Sequence, residues 1–167
     1  MADFYGTAIG FTAYHVERGN TVPADIDTDA EIEAGLLKAS EWLDAAYRSS
    51  FDGYKDGGRD QIREWPRTGH TDYYGYSIAT GLTPREIENA TYEAALREFT
   101  TTGSLSTDWT PSKYQSVSVD GAVSAKFTQF NSASETQTQF QMVAEIMAAL
   151  IPSSANLSSN SGDVVRV

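Results

Sequence analysis

Thr28-Asp29-Ala30-Glu31-Ile32-Glu33-Ala34-Gly35-Leu36-Leu37-Lys38-Ala39-Ser40-Glu41-Trp42-Leu43-Asp44-Ala45-Ala46-Tyr47 decides the fold class. Thr28 and Glu31 have the spacing of a capping box: the hydroxyl accepts from the third helical N–H while the carboxylate reaches back. Ile32, Leu36, Ala39, Leu43 and Ala46 then advance in steps of four and three, one buried stripe with Tyr47 alongside it. The acids fall in the first turn, where the helix dipole favours them. A helix is expected to about Arg48.

Similar signals recur downstream. Thr83-Pro84-Arg85-Glu86 offers a cap, a proline at the first helical position and a glutamate at the third. Ile87, Ala90, Ala94, Ala95 and Phe99 supply the buried face of a helix over about 83–101, and its alanines call for close packing against the first helix. Gly103 follows its end. A last helix is expected from Ser134, with Gln137 completing its box, carrying Phe140, Val143, Met147 and Leu150 until Pro152 stops it. Between these two, about 114–130 reads as a β-hairpin. A two-residue Asp120-Gly121 turn would put its apolar sets on opposite faces. A three-residue loop, Val119-Asp120-Gly121, sets Val117 opposite Val123 and gives one apolar face, so we prefer it. Before Thr28, the stretch Phe11-Thr12-Ala13-Tyr14 leads to Arg18-Gly19-Asn20, a helix end or turn, and Pro23 opens a connection.

The sequence thus predicts a mainly α protein, a small helical bundle with an inserted β-hairpin and an extended C-terminal tail. The helical domain occupies 1–152 and the arm 153–167. At 167 residues a single domain buries roughly 70% of its unfolded surface, enough for a core without staples. There is no cysteine, hence no disulfide or thiolate site. No apolar run has the length of a membrane span and no signal peptide opens the chain, so a soluble protein without membrane contact is expected.

Catalytic and metal motifs are weak. Asp25-x-Asp27-x-Asp29 copies the start of an EF-hand loop, but Ala30 stands where glycine and Leu36 where glutamate is required, so an acidic linker into a helix accounts for it. With only His15 and His70 there is no histidine cluster. Gly75-Tyr76-Ser77-Ile78-Ala79 loosely echoes a nucleophile elbow without the preceding strand. No phosphate-binding glycine loop occurs. Neither an enzyme nor a metal or cofactor is expected.

Residues 49–82 hold the best binding candidates. A short helix is conceivable over 59–65, ended by Pro66, and the rest reads as an ordered aromatic loop. Arg63, Trp65, Arg67, His70, Tyr73, Tyr74 and Tyr76 combine rings and cations. That mix stacks on single-stranded bases, anchors protein interfaces, or folds a loop onto helices. Trp65, Pro66, Arg67, Tyr73 and Tyr74 are therefore candidate loop anchors or interface residues. Against nucleic acid stands the charge: 12 Lys and Arg face 23 Asp and Glu, a net of −11.

In their order these pieces resemble a family of tailed-phage proteins, described as DnaT-like single-stranded-DNA-binding, whose members resemble head–tail connector adaptors. The matching features are Ala13-Tyr14 with Arg18-Gly19-Asn20, the helix from Leu36 to Tyr47, Tyr54-Lys55-Asp56-Gly57, Glu64-Trp65-Pro66-Arg67-Thr68-Gly69, and Tyr92-Glu93-Ala94-Ala95 in the helix opened by Pro84. They span roughly residues 10–150, and the tail lies outside them. The resemblance implies a virion neck component: a ring of identical subunits, usually twelve, beneath the portal protein and above a head-closure or tail-terminator protein. Genome DNA would pass through its lumen without specific binding, and an acidic lumen suits a conduit. The competing implication is a single-strand DNA binder. The tail, Ser/Asn-rich until Val164-Val165-Arg166-Val167, is expected to be a docking arm whose tip adds a strand to a neighbour's sheet edge or fills a groove in the portal.

Overall fold

The computed structural model describes residues 4–106, 116–119, 123–126 and 140–153. The chain divides into two units, 1–105 with 140–167, and 106–139. The first unit holds the described α-helices and is mainly α.

Its first helix, α1 (Ala8–Glu17), begins where Thr7 accepts from the Gly10 N–H. Sequence periodicity did not reveal this helix, because Phe11, Tyr14 and His15 are buried while Ile9 and Val16 on its other side are exposed, so apolar residues ring it. Helix α2 (Asp29–Tyr47) starts with both bonds of the Thr28–Glu31 capping box in place. Ile32, Leu36, Ala39 and Leu43 are buried as the spacing requires, but Ala46 is exposed. The inward face ends instead on polar Ser40 and Asp44.

Helix α3 (Arg85–Thr100) departs from expectation at its start. Pro84 is the cap residue, with extended backbone (ψ 146°), and no side chain caps the helix. The helix therefore begins one residue later than the Thr83 box requires. Its face is as read: Ile87, Ala90, Ala94 and Ala95 are fully buried, with Phe99 partly so. The small residues let α2 come close, and Gly35 on α2 sits under the Phe99 ring, which a Cβ there would overlap. At the other end Glu98 accepts from the N–H groups of Gly103 and Leu105, tying down the turn that follows. Helix α4 (Gln141–Ala148) packs on α3 through Val143 and Met147. Phe140 precedes it in extended backbone, so this helix does not run back to Ser134; residues 127–139 lie outside those described.

Between α2 and α3, where the sequence allowed a short helix over 59–65, there is a single 3-10 turn, Gly58–Asp60. A two-residue ladder, β1 (Tyr54–Lys55) with β2 (Arg67–Thr68), closes the loop around it.

In the second unit, β3 (Ser116–Val119) pairs antiparallel with β4 (Val123–Lys126). The hairpin is present in a register two positions from the preferred one: Val119 faces Val123 and Val117 faces Ala125. A shift of two keeps all four positions on one face of the ladder, as a shift of one would not. The connection 120–122 and the expected docking arm beyond Ser153 lie outside the described residues.

Candidate functional site

The segment from Phe51 to Leu82 owes its shape to side chains more than to backbone ladders. Gln61 accepts from the Gly57 N–H at 2.8 Å and donates to the carbonyls of Arg63 and Pro66 at 2.8 and 2.9 Å. The Asp52 carboxylate takes both the N–H and the hydroxyl of Thr71. Gly53 has φ +65° and lies against the backbone of Thr68, Gly69 and His70, where any Cβ would collide. The Trp65–Pro66 peptide is cis.

Trp65 is 2% exposed and meets Phe51 and His70 edge-to-face, at centroid distances of 5.5 and 4.7 Å. Its indole N–H is the one buried side-chain polar atom among the described residues without a hydrogen-bond partner. His70 is fully buried, donates through Nε2 to the Leu150 carbonyl at 2.9 Å, and has Nδ1 beside the Asp52 carboxylate. Pro66 is half-buried.

Two cations complete the interior. Arg67 is buried: Nε donates to the Asp52 carbonyl at 2.9 Å, Nη2 to that of Gly53 at 3.0 Å, and Nη1 to the Glu64 carboxylate at 2.8 Å. Arg63 reaches Asp44 at 3.5 Å and Glu41 at 3.4 Å. Burial pushes the Asp44 carboxyl above the usual range, while the Tyr5 hydroxyl and Arg63 draw it back.

Three tyrosines go the other way. Asp72 accepts from the N–H groups of Tyr74 and Tyr76, a side-chain-closed turn that pushes their rings outward. Tyr73, Tyr74 and Tyr76 are 46%, 75% and 73% exposed, with Tyr73 and Tyr74 edge-to-face at 5.2 Å. Beside them runs a cleft of about 620 Å³ whose apolar wall includes Ile78, Leu82, Pro84 and Leu150.

The seven-residue mixture singled out in the sequence is therefore split. Arg63, Trp65, Arg67 and His70 turn inward to build the loop, and Tyr73, Tyr74 and Tyr76 form an exposed ledge. Other cations are also engaged with acids: Lys38 with Glu98, Lys55 with Glu64, and Arg85 with Glu86. The parts that sequence reasoning missed are Tyr5, Asp44 and Asp52, which hold the loop in place. Their separation along the chain leaves no local signal.

Among the described residues no group of His, Asp or Glu is placed to hold a metal ion, and no helix is long and apolar enough to cross a membrane. These features define a mainly α protein with an ordered aromatic loop. The chain matches over residues 1–167 the family described as "Putative DnaT-like ssDNA binding protein", and it belongs to that family. No curated protein and no solved structure matches it.

Proposed function

We propose that this chain is a structural subunit that works by binding other proteins through its tyrosine ledge, and not an enzyme. The observation that carries this reading is the split of the aromatic segment: Arg63 and Arg67 are committed to carboxylates and carbonyls inside the loop, while its tyrosines face outward. Exposed tyrosines whose segment turns Arg63 and Arg67 inward suit a protein partner, and a net charge of −11 disfavours a polyanion at long range.

In its finer form the proposal is a head–tail adaptor of a tailed phage. Copies of the chain would form a ring, twelve in the resembling family, between the portal above and a head-closure or tail-terminator protein below, with DNA passing through an acidic lumen. The protein would then reside in the virion neck, after assembly in the host cytoplasm. Immunogold labelling of purified particles tests this: label at the neck is expected, and protein found only in infected cells and never in particles overturns it.

The family description favours a second reading, single-stranded DNA binding. Base stacking on Tyr74 and Tyr76 would be its physical basis. Titration of a labelled oligonucleotide at rising salt separates the two. A binder shows an affinity that falls steeply with salt, whereas the adaptor reading expects no binding at physiological ionic strength.

A further inference from the structure

The cleft beside the tyrosine ledge has a candidate occupant in the same polypeptide. One of its walls is Ala149 and Leu150, three residues before the described chain stops at Ser153. Facing them, Leu82 is 54% exposed and Tyr74 75%, a wetted apolar surface set in a concavity. Residues 154–163 form a Ser/Asn-rich stretch that leads to Val164-Val165-Arg166-Val167. Ten residues reach at most about 36 Å when extended, ample for a tip to return to a cleft at its own point of departure.

We propose that Val164–Val167 of the same chain occupies this cleft in the free subunit, with its valines against Ile78, Leu82 and Leu150. The chemistry matches. The tip is apolar with a single cation, Arg166, and the cleft is apolar with two acids, Asp72 and Glu86, against one cation, Arg85. Tethering decides the source of the occupant. A tether of ten residues gives an effective concentration in the millimolar range, about a thousandfold above a free copy present at micromolar concentration. The inference holds under either reading of function, because it concerns the subunit before it meets a partner.

The absence of cysteine makes the test clean. Two double variants of the full chain are treated with a short bis-maleimide: Leu82→Cys with Val165→Cys, and Leu82→Cys with Ser159→Cys. A tail that samples space at random reaches position 82 more readily from 159, the shorter tether. A docked tip reverses the order, and position 165 is expected to react about tenfold faster, giving an intrachain product at a rate independent of protein concentration. Adding Val164→Asp and Val167→Asp should remove that advantage. Faster reaction from position 159 overturns the proposal, and covalent dimers as the main product overturn it in favour of a second copy. Circular dichroism of each variant confirms that the helices are intact, and Leu82 is exposed.

Discussion

The Tyr5 hydroxyl donates to the Asp44 carboxylate at 2.6 Å, and the same oxygen accepts from the Trp65 backbone N–H at 3.0 Å. One phenol thus joins the N-terminal segment, the second helix and the aromatic loop. Burial and the Asp44 charge hold its proton on, with the Tyr5 pKa far above that of a free tyrosine. Tyr5→Phe removes an acceptor and a donor from two buried groups at once. The expected cost is about 2–3 kcal/mol, seen as a melting temperature lower by roughly 5–10 °C. A variant as stable as its parent in urea unfolding would show that the junction is not needed.

Gly53→Ala should be more damaging than its size implies. The residue combines a left-handed backbone with contact against the Thr68–His70 backbone, neither of which can yield cheaply. We expect a loss of about 2 kcal/mol or more in denaturant unfolding. Gly58→Ala shares the left-handed backbone (φ +65°) but meets nothing within 4 Å, so it should cost less and serves as the control.

Trp65→Ala and Tyr74→Ala separate the two halves of the aromatic segment. The first empties a buried ring site and should cost about 3–5 kcal/mol. The second removes an exposed ring and should leave stability within about 0.5 kcal/mol, while weakening whichever partner the ledge binds. Thermal melts of both variants, with co-sedimentation against purified particles or portal, give the two readouts.

Stability should fall as the medium is acidified, in part through His15. Its Nε2 donates to the Tyr92 carbonyl and its Nδ1 accepts from Asn20, a pattern that satisfies the neutral ring. Burial lowers its pKa below the ordinary value of 6.5. The unfolded chain therefore binds the proton more readily, and stability is lost as pH drops below about 6.5, with a slope of at most about 1.4 kcal/mol per pH unit for this one site. Urea midpoints measured between pH 7.5 and 5.5 should fall for the parent and less for His15→Gln, whose amide can keep both bonds without titrating.

The helices were legible where one residue type does one job. Thr28 with Glu31 set the start of α2, and the Leu36–Leu43 stripe set its inward face. Reading failed where a short-range signal competed with a long-range contact. Pro84 carried the right residues for a capped start one position too early, and α1 hid because both of its sides are apolar. The aromatic segment was recognised as ordered, but its division into buried and exposed halves was beyond sequence. That division depends on Asp44, Asp52 and Tyr5, and Tyr5 lies 60 residues from its partner Trp65. Arg67 was a candidate loop anchor or interface residue, but nothing near it in sequence announces the Asp52 and Gly53 carbonyls it binds.

The bond from His70 to the Leu150 carbonyl has a consequence for how the protein is made. It spans 80 residues, and the Tyr73 N–H likewise donates to the Ala149 carbonyl. On a ribosome adding roughly 5–20 residues per second, position 150 emerges about 4–16 s after position 70. Over that interval the aromatic loop has its tether to Tyr5, and the His70 Nε2 lacks its carbonyl partner. The nascent chain therefore carries the aromatic loop without its two bonds to residues 149 and 150 until that segment emerges, so the loop is closed late in synthesis.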